Sequence, residues 1–180
     1  MGMRVTDLVK IIIDQKKDAK IAVDMTVGRG NDSKYILDNT EVEKLYGFDI
    51  QKEAADAAKN LIGKDNRFIF HLQSHEKVDQ IIKEGLDLVI YNLGYLPGGN
   101  KEVTTDYKTT IKSLEKTLGL MNAGGLIILT IYPGHPAGKI ESEKIEKYLA
   151  NINPKKYAIM KLAYQNRPNN PPYIVMIQNK

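Results

Sequence analysis

Residues 20–32, Lys20-Ile21-Ala22-Val23-Asp24-Met25-Thr26-Val27-Gly28-Arg29-Gly30-Asn31-Asp32, decide the fold. A short apolar run, 20–24, has the length and composition of a buried strand. It closes on an acid, and Gly28 and Gly30 follow with one residue between them. Glycine accepts positive φ and lets a backbone approach a ligand closely. The helix predicted over 32–37 opens with N–H groups that have no partner within the helix. Strand, tight loop and helix start form the first unit of an α/β sheet. A plain strand-to-helix turn has the same outline, so the loop needs support from elsewhere in the chain.

Working outward, the alternation repeats. Upstream, Val5, Leu8, Val9, Ile11, Ile12 and Ile13 recur at helical spacing. Downstream, strands are predicted over 43–48, 67–70, 86–91 and 125–131. Helices are predicted over 52–62, 77–83, 106–121 and 139–149, with Ala123, Gly124 and Gly125 ending the long third one. Strand-like segments 157–164 and 173–177 close the chain. Only 165–172 separates them, too short for a crossover helix, so they pair antiparallel. The expected architecture is α/β and Rossmann-like. It is a seven-stranded, mostly parallel sheet with a C-terminal antiparallel hairpin and helices on both faces, one domain over 1–180.

Composition sets bounds. The 180 residues suffice for one full core. With 42% hydrophobic and 27% charged residues, the chain has the make-up of a soluble globular protein. No apolar run reaches the ~18 residues of a membrane span, and no secretory signal is evident. The opening Met1-Gly2-Met3-Arg4-Val5-Thr6 fits the loose myristoylation pattern, but Met3 serves equally as the natural start. Zero cysteines exclude a disulfide frame, a thiolate metal site and a cysteine nucleophile. No metal site is expected, and a cytoplasmic enzyme fits. A net charge of +4 and a pI near 9.0 permit a polyanion partner such as RNA without demanding one.

In such sheets ligands bind beyond the carboxyl ends of the strands, where the strand order reverses. After the first strand, the helix start near Asn31 and Asp32 would suit a pyrophosphate. The dinucleotide fingerprint, however, needs a third glycine, and position 33 is Ser33. Asp24 and Asp32 place negative charge at the mouth, which repels phosphate and favours a cation. A ligand with an ammonium and a sulfonium and no phosphate, S-adenosylmethionine, matches. After the second strand, Asp49 stands where an acid bonds the ribose hydroxyls, or caps the next helix. Ile50 would press on adenine. After the third strand, Ser74 and His75 are candidates for the adenine edge, or a cap and a surface group. After the fourth, Asn92 and Gly94 precede Tyr95, Pro97, Gly98 and Gly99. Methyl transfer to an amine needs its lone pair aimed at the methyl carbon, and an Asn oxygen gripping the amine N–H groups supplies that aim. Tyr95 would stack on a flat substrate. After the fifth strand come Tyr132 and His135, the latter not a compelling base. Arg167, at the tip of the last hairpin, meets a phosphate or stays solvated.

With "DMTVGRGND", "NLGYLPGG" and "TIYPGHPAGK" in place, the chain resembles a class I methyltransferase across essentially its full length. More narrowly, it resembles a small bacterial family first labelled rRNA methylases. Members of that family are implicated in methylating the aminomethyl group of 5-aminomethyl-2-thiouridine at the tRNA wobble position. The resemblance implies a tRNA anticodon loop as partner and S-adenosylmethionine as cofactor. It implies cofactor roles for Asp24, Thr26, Gly28, Gly30, Asn31, Asp49, Gln51, Ser74 and His75, and assigns Asn92 and Tyr95 to the target amine. An unpaired anticodon base is splayed out at low cost and stacked on aromatic side chains. The small size suggests a homodimer that widens the RNA groove. Alternatives stay open: an rRNA methyltransferase, a small-molecule methyltransferase, an NAD-dependent oxidoreductase, and a non-catalytic RNA-binding module.

Overall fold

The computed structural model describes residues 3–94 and 105–180. Among these, seven strands form one sheet in the order β3-β2-β1-β4-β5-β7-β6. The strands are β1 (Ile21–Asp24), β2 (Lys44–Asp49), β3 (Phe68–Leu72), β4 (Leu86–Asn92), β5 (Met121–Ile131), β6 (Tyr157–Leu162) and β7 (Tyr173–Asn179). The helices are α1 (Val5–Ile13), α2 (Asn31–Asn39), α3 (Lys52–Ile62), α4 (Val78–Ile81), α5 (Tyr107–Leu120) and α6 (Pro136–Leu149). β1 to β5 run parallel, and β7 pairs antiparallel with both β5 and β6. The predicted fold class and strand arrangement therefore hold. No helix among the described residues is long and apolar enough to cross a membrane.

Side-chain alternation along the strands feeds two cores, one on each face. Ala22, Leu88, Ile90, Leu126 and Ile128 face one way and pack with Val9 and Ile13 of α1 and Ile36 and Leu37 of α2. Val23, Val89, Tyr91, Ile127 and Leu129 face the other way and pack with Val78, Leu114, Leu118, Ile145 and Leu149. The strand order reverses between β1 and β4, so the crevice for a ligand opens above those two strands.

Three boundaries differ from expectation. The helix predicted over 77–83 opens as a 3-10 turn at His75–Lys77 and continues as α4 only to Ile81. α6 begins earlier, because His135 caps it and Pro136 fits its first turn. The largest change is at β5, which starts at Met121. Met121 pairs with Leu86 and Leu126 with Leu88, so five steps on β5 span two on β4. Ala123, Gly124 and Gly125 do not end a helix; they form this bulge, where Gly124 has φ 76°. Asn122 donates to Asp87 across it, and Asn179 donates to the carbonyls of Met121 and Asn122.

Candidate active site

The glycine loop is built from its backbone. Gly28 and Gly30 have φ of 53° and 81°, in the left-handed region. At Gly30 a Cβ would also lie 3.0 Å from Ala58 Cα, so α3 packs against the loop only because that atom is missing. The Gly30 N–H donates to the Val27 carbonyl, and the Val27 N–H donates to Phe48 on β2. Asp49, ending β2, accepts from the Gly28 N–H through one oxygen and from the Gln51 N–H through the other, both at 2.9 Å. The acid predicted to meet a ribose thus also braces the loop. Each carboxylate oxygen has a second lone pair for a ligand hydroxyl. Ile50, beside it, is 59% exposed. Gln51 stands at the N-cap position of α3 without a side-chain cap bond, and Asn31 opens α2 on the surface.

Asp24 is placed differently from expectation. It is 1% exposed and lies under the loop, not at its mouth. It accepts from the Ser33 hydroxyl at 2.6 Å and from the Thr26 N–H at 3.1 Å. Burial, with Asp32 adding repulsion, pushes its pKa up to about 7. Ser33, the residue in place of a third glycine, is thus the buried partner of Asp24. Thr26 reaches across the crevice: its hydroxyl accepts from the Asn92 N–H at 2.7 Å, tying the β1 loop to the end of β4.

On the β4 side the structure brings Asn92, Asp32, Gly94 and Tyr132 together. Asn92 donates its Nδ2 to the Asp32 carboxylate in a very short hydrogen bond. An ionised carboxylate only accepts, so this bond fixes the amide orientation and leaves Oδ1 as its acceptor. Burial raises the Asp32 pKa, while the Asn92 bond and Lys10 on α1 oppose the rise. Tyr132, at the end of β5, has its own pKa raised by burial and by Asp32. A Cβ on Gly94 would come 3.9 Å from the Tyr132 ring. Tyr95 lies outside the described residues.

Behind this cluster is a relay that sequence reasoning missed. The Gly94 N–H donates to Thr105 Oγ1 at 2.9 Å, and the Thr105 N–H returns to the Gly94 carbonyl. Thr105 then donates to Glu141 at 2.8 Å, and Thr110 donates to the same carboxylate at 3.3 Å. Glu141 is 5% exposed, and burial pushes its pKa up to about 7. Its signal was present: Glu141 shares a helical stripe with Ile145 and Leu149.

Four expected residues have other partners in this structure. The Ser74 hydroxyl accepts from the Glu76 N–H and caps the 3-10 turn. The His75 ring is 8% exposed and meets Tyr91 edge-on, with its pKa pushed down to about 4 by burial. In this structure the two stand as a cap and a core group. The His135 Nδ1 accepts from the Gly138 N–H and caps α6. Arg167 stacks 3.7 Å from the Tyr164 ring centre and donates to the Met3 carbonyl, fastening the hairpin tip to the N-terminal segment.

A parallel sheet of this order with a terminal antiparallel hairpin and a glycine loop at the reversal defines the class I methyltransferase architecture. Residues 45–178 match the family described as "Putative rRNA methylase", and the chain belongs to that family. The "putative rRNA-methylase" from Clostridium thermocellum is 28% identical, with TM-score 0.94 over the whole of both chains. A "putative methyltransferase" from Streptococcus mutans, solved in complex with SAH, is 26% identical, with TM-score 0.90 over the whole of both chains. The "tRNA (mnm(5)s(2)U34)-methyltransferase, chloroplastic" of Arabidopsis thaliana is 32% identical over 92% of this chain. The chain spans 65% of that relative's length.

Proposed function

We propose that this chain is an S-adenosylmethionine-dependent RNA methyltransferase whose acceptor is the aminomethyl amine of 5-aminomethyl-2-thiouridine at the tRNA wobble position. The observation that carries the reading is the Asn92 amide at the strand-order reversal, its Nδ2 committed to Asp32 and its Oδ1 kept as an acceptor. An acceptor there suits an amine with N–H groups to give. The Arabidopsis relative's name points to the same chemistry, and the pI near 9.0 accords with a polyanion.

The loop fits the cofactor. Gly28 and Gly30 leave room for close approach, Asp49 has lone pairs for ribose hydroxyls, and Ile50 offers an exposed apolar side chain beside them. The acids at this edge disfavour a phosphate-bearing dinucleotide in its place. When bound, S-adenosylmethionine supplies an electrophilic methyl group. The chain's own part is to aim the amine: Asn92 Oδ1 accepts an amine N–H, and Thr26 holds Asn92 through its backbone. Such positioning contributes up to about 7–11 kcal/mol to lowering a barrier. Tyr132, beside Asp32 and Gly94, would flank the amine. Zero cysteines accord with a reducing compartment such as the cytoplasm.

The test is methyl transfer from labelled S-adenosylmethionine into total RNA of a strain lacking the gene, followed by size separation and nucleoside mass analysis. The expected outcome is label in tRNA, with 5-aminomethyl-2-thiouridine gaining one methyl. Label confined to ribosomal RNA would overturn the substrate and keep the reaction. No labelled RNA would overturn both.

A further inference from the structure

We infer that the Asp32 carboxylate holds the cationic amine of the substrate and takes a proton from it, working beside the Asn92 amide that it pins. This rests on the reading of the acceptor as an alkyl amine. A free alkyl ammonium is not a nucleophile: its nitrogen has no lone pair until one proton leaves. Near pH 7 most of such an amine is protonated, given an ordinary amine pKa near 10.4. The site must therefore attract a cation and then discharge it.

Asp32 stands where that is done. It occupies the first turn of α2, immediately after the glycine loop, yet its carboxylate bonds Asn92 on β4. The acid of the β2 flank, Asp49, bonds Gly28 and Gln51 on the glycine-loop side instead. Asp32 therefore belongs with Asn92, Gly94 and Tyr132 on the acceptor side of the crevice. Its bond to Asn92 uses one donor and leaves both oxygens with capacity to accept. Among the described residues, Asp24 from β1, Tyr132 from β5 and Lys10 from α1 act on it. Of these Asp24 lies buried beneath, with its pKa up to about 7, and Tyr132, its pKa raised by burial and by Asp32, stays neutral. Burial also raises Asp32's own proton affinity, in the direction a proton acceptor needs.

The step balances. The ammonium R–CH2–NH3+ gives one proton to the Asp32 carboxylate, forming neutral R–CH2–NH2 and the carboxylic acid. The nitrogen keeps the electron pair of the broken N–H bond, and Asn92 Oδ1 accepts one of the two remaining N–H groups. Asp32 returns its proton to solvent when the site opens.

The experiment uses an anticodon-loop RNA with an aminomethyl uridine and its unmodified counterpart. Wild-type protein is assayed first; failure to methylate the amine-bearing RNA would remove the reading of function, and this inference with it. Asp32→Asn then keeps an acceptor for Asn92 Nδ2 and removes the charge. Expected at pH 7 is a fall in kcat/KM of roughly 100-fold or more, the usual contribution of a positioned proton acceptor. The deficit narrows as pH rises and solution supplies neutral amine. Without cofactor, the variant loses the wild type's binding preference for the amine-bearing RNA, while S-adenosylhomocysteine affinity in calorimetry is unchanged. A wild-type rate and pH profile would overturn the inference. So would S-adenosylhomocysteine affinity falling by the same factor as the rate, which would move Asp32 to the cofactor. Should Asp32→Asn not fold, Asn92→Ser serves: it retains the charge, so the binding preference persists as the rate falls. Loss of that preference in Asn92→Ser would also overturn the inference.

Discussion

The two flanks of the crevice are made of different material. On the β1–β2 flank the backbone sets the shape: two left-handed glycines, a chain of main-chain N–H donors, and one carboxylate bracing them. On the β4–β5 flank side chains form a relay, from Gly94 through Thr105 to Glu141 and from Asn92 to Asp32. The first flank is fixed by sterics and admits no extra atom. The second is fixed by hydrogen bonds to a buried and a half-buried carboxylate and is therefore open to titration. A backbone cradle suits a cofactor whose shape never changes. A relay of polar side chains suits an acceptor that must be aimed and discharged.

Gly30→Ala strikes the first flank hardest. The left-handed backbone costs a non-glycine residue about 1–2 kcal/mol, and crowding against Ala58 adds about 1–3 kcal/mol. Denaturant unfolding should show a loss in that combined range, along with weakened cofactor binding. A stability within about 0.5 kcal/mol of wild type, the range of ordinary surface substitutions, would mean that the loop yields and the contrast between flanks is overstated.

Glu141→Gln probes the second flank through pH. Folding raises this carboxyl from an ordinary 4.5 to about 7, so the native state binds its proton more tightly than the unfolded chain does. The resulting stability is fully present below pH 4.5 and is lost as pH rises to about 7. The amide that replaces the carboxyl stays neutral throughout. The variant should flatten the decline across that window and gain on the order of 2–3 kcal/mol over wild type at pH 8. A smaller decline remains, because Asp24 is also raised to about 7. Thermal unfolding from pH 4 to 8 measures it, and parallel curves for the two proteins would show that Glu141 is ionised without penalty.

Asp49→Ala returns to the first flank with a ligand readout. A carboxylate bonded to two hydroxyls contributes about 1.5–3 kcal/mol, so cofactor binding should weaken by roughly 10- to 150-fold. Unchanged affinity in calorimetry, with the fold intact, would leave Asp49 only its bonds to Gly28 and Gln51.

Local chemistry explains why one flank was legible and the other was not. Strand, acid, glycine pair and helix start all fall within 20–32, so their meaning needs no distant partner. Asp49 was placed by its spacing alone. The relay is different: Thr105 and Glu141 are 36 positions apart, and Asn92 and Asp32 are 60 apart. No periodicity links such pairs. Glu141 announced itself only as an acid on an apolar stripe, without naming what it would hold. The bulge at 122–125 was misread because Ala-Gly-Gly ends a helix as readily as it loops out of a strand. The deciding partners, Leu86, Leu88 and Asn179, lie far along the chain. His135 was read only as a residue following the fifth strand, and the signal that it caps α6 was Pro136 after it.

Ser74→Ala is the smallest change and the finest test of where the cofactor flank ends. The hydroxyl accepts from Glu76 N–H at 3.4 Å, a long bond that caps a three-residue turn. Caps contribute about 0.5–2 kcal/mol, and this geometry belongs at the low end. Unfolding should therefore show a loss of about 0.5 kcal/mol, with cofactor affinity unmoved. The two readouts separate the two roles, since a cap acts on stability and an adenine contact on binding. If affinity falls several-fold while stability holds, the hydroxyl turns from its cap to the ligand on binding. The cofactor flank would then extend past Asp49 to the third strand, and its rigidity would end there, because a side chain that changes partners is no longer part of a backbone cradle.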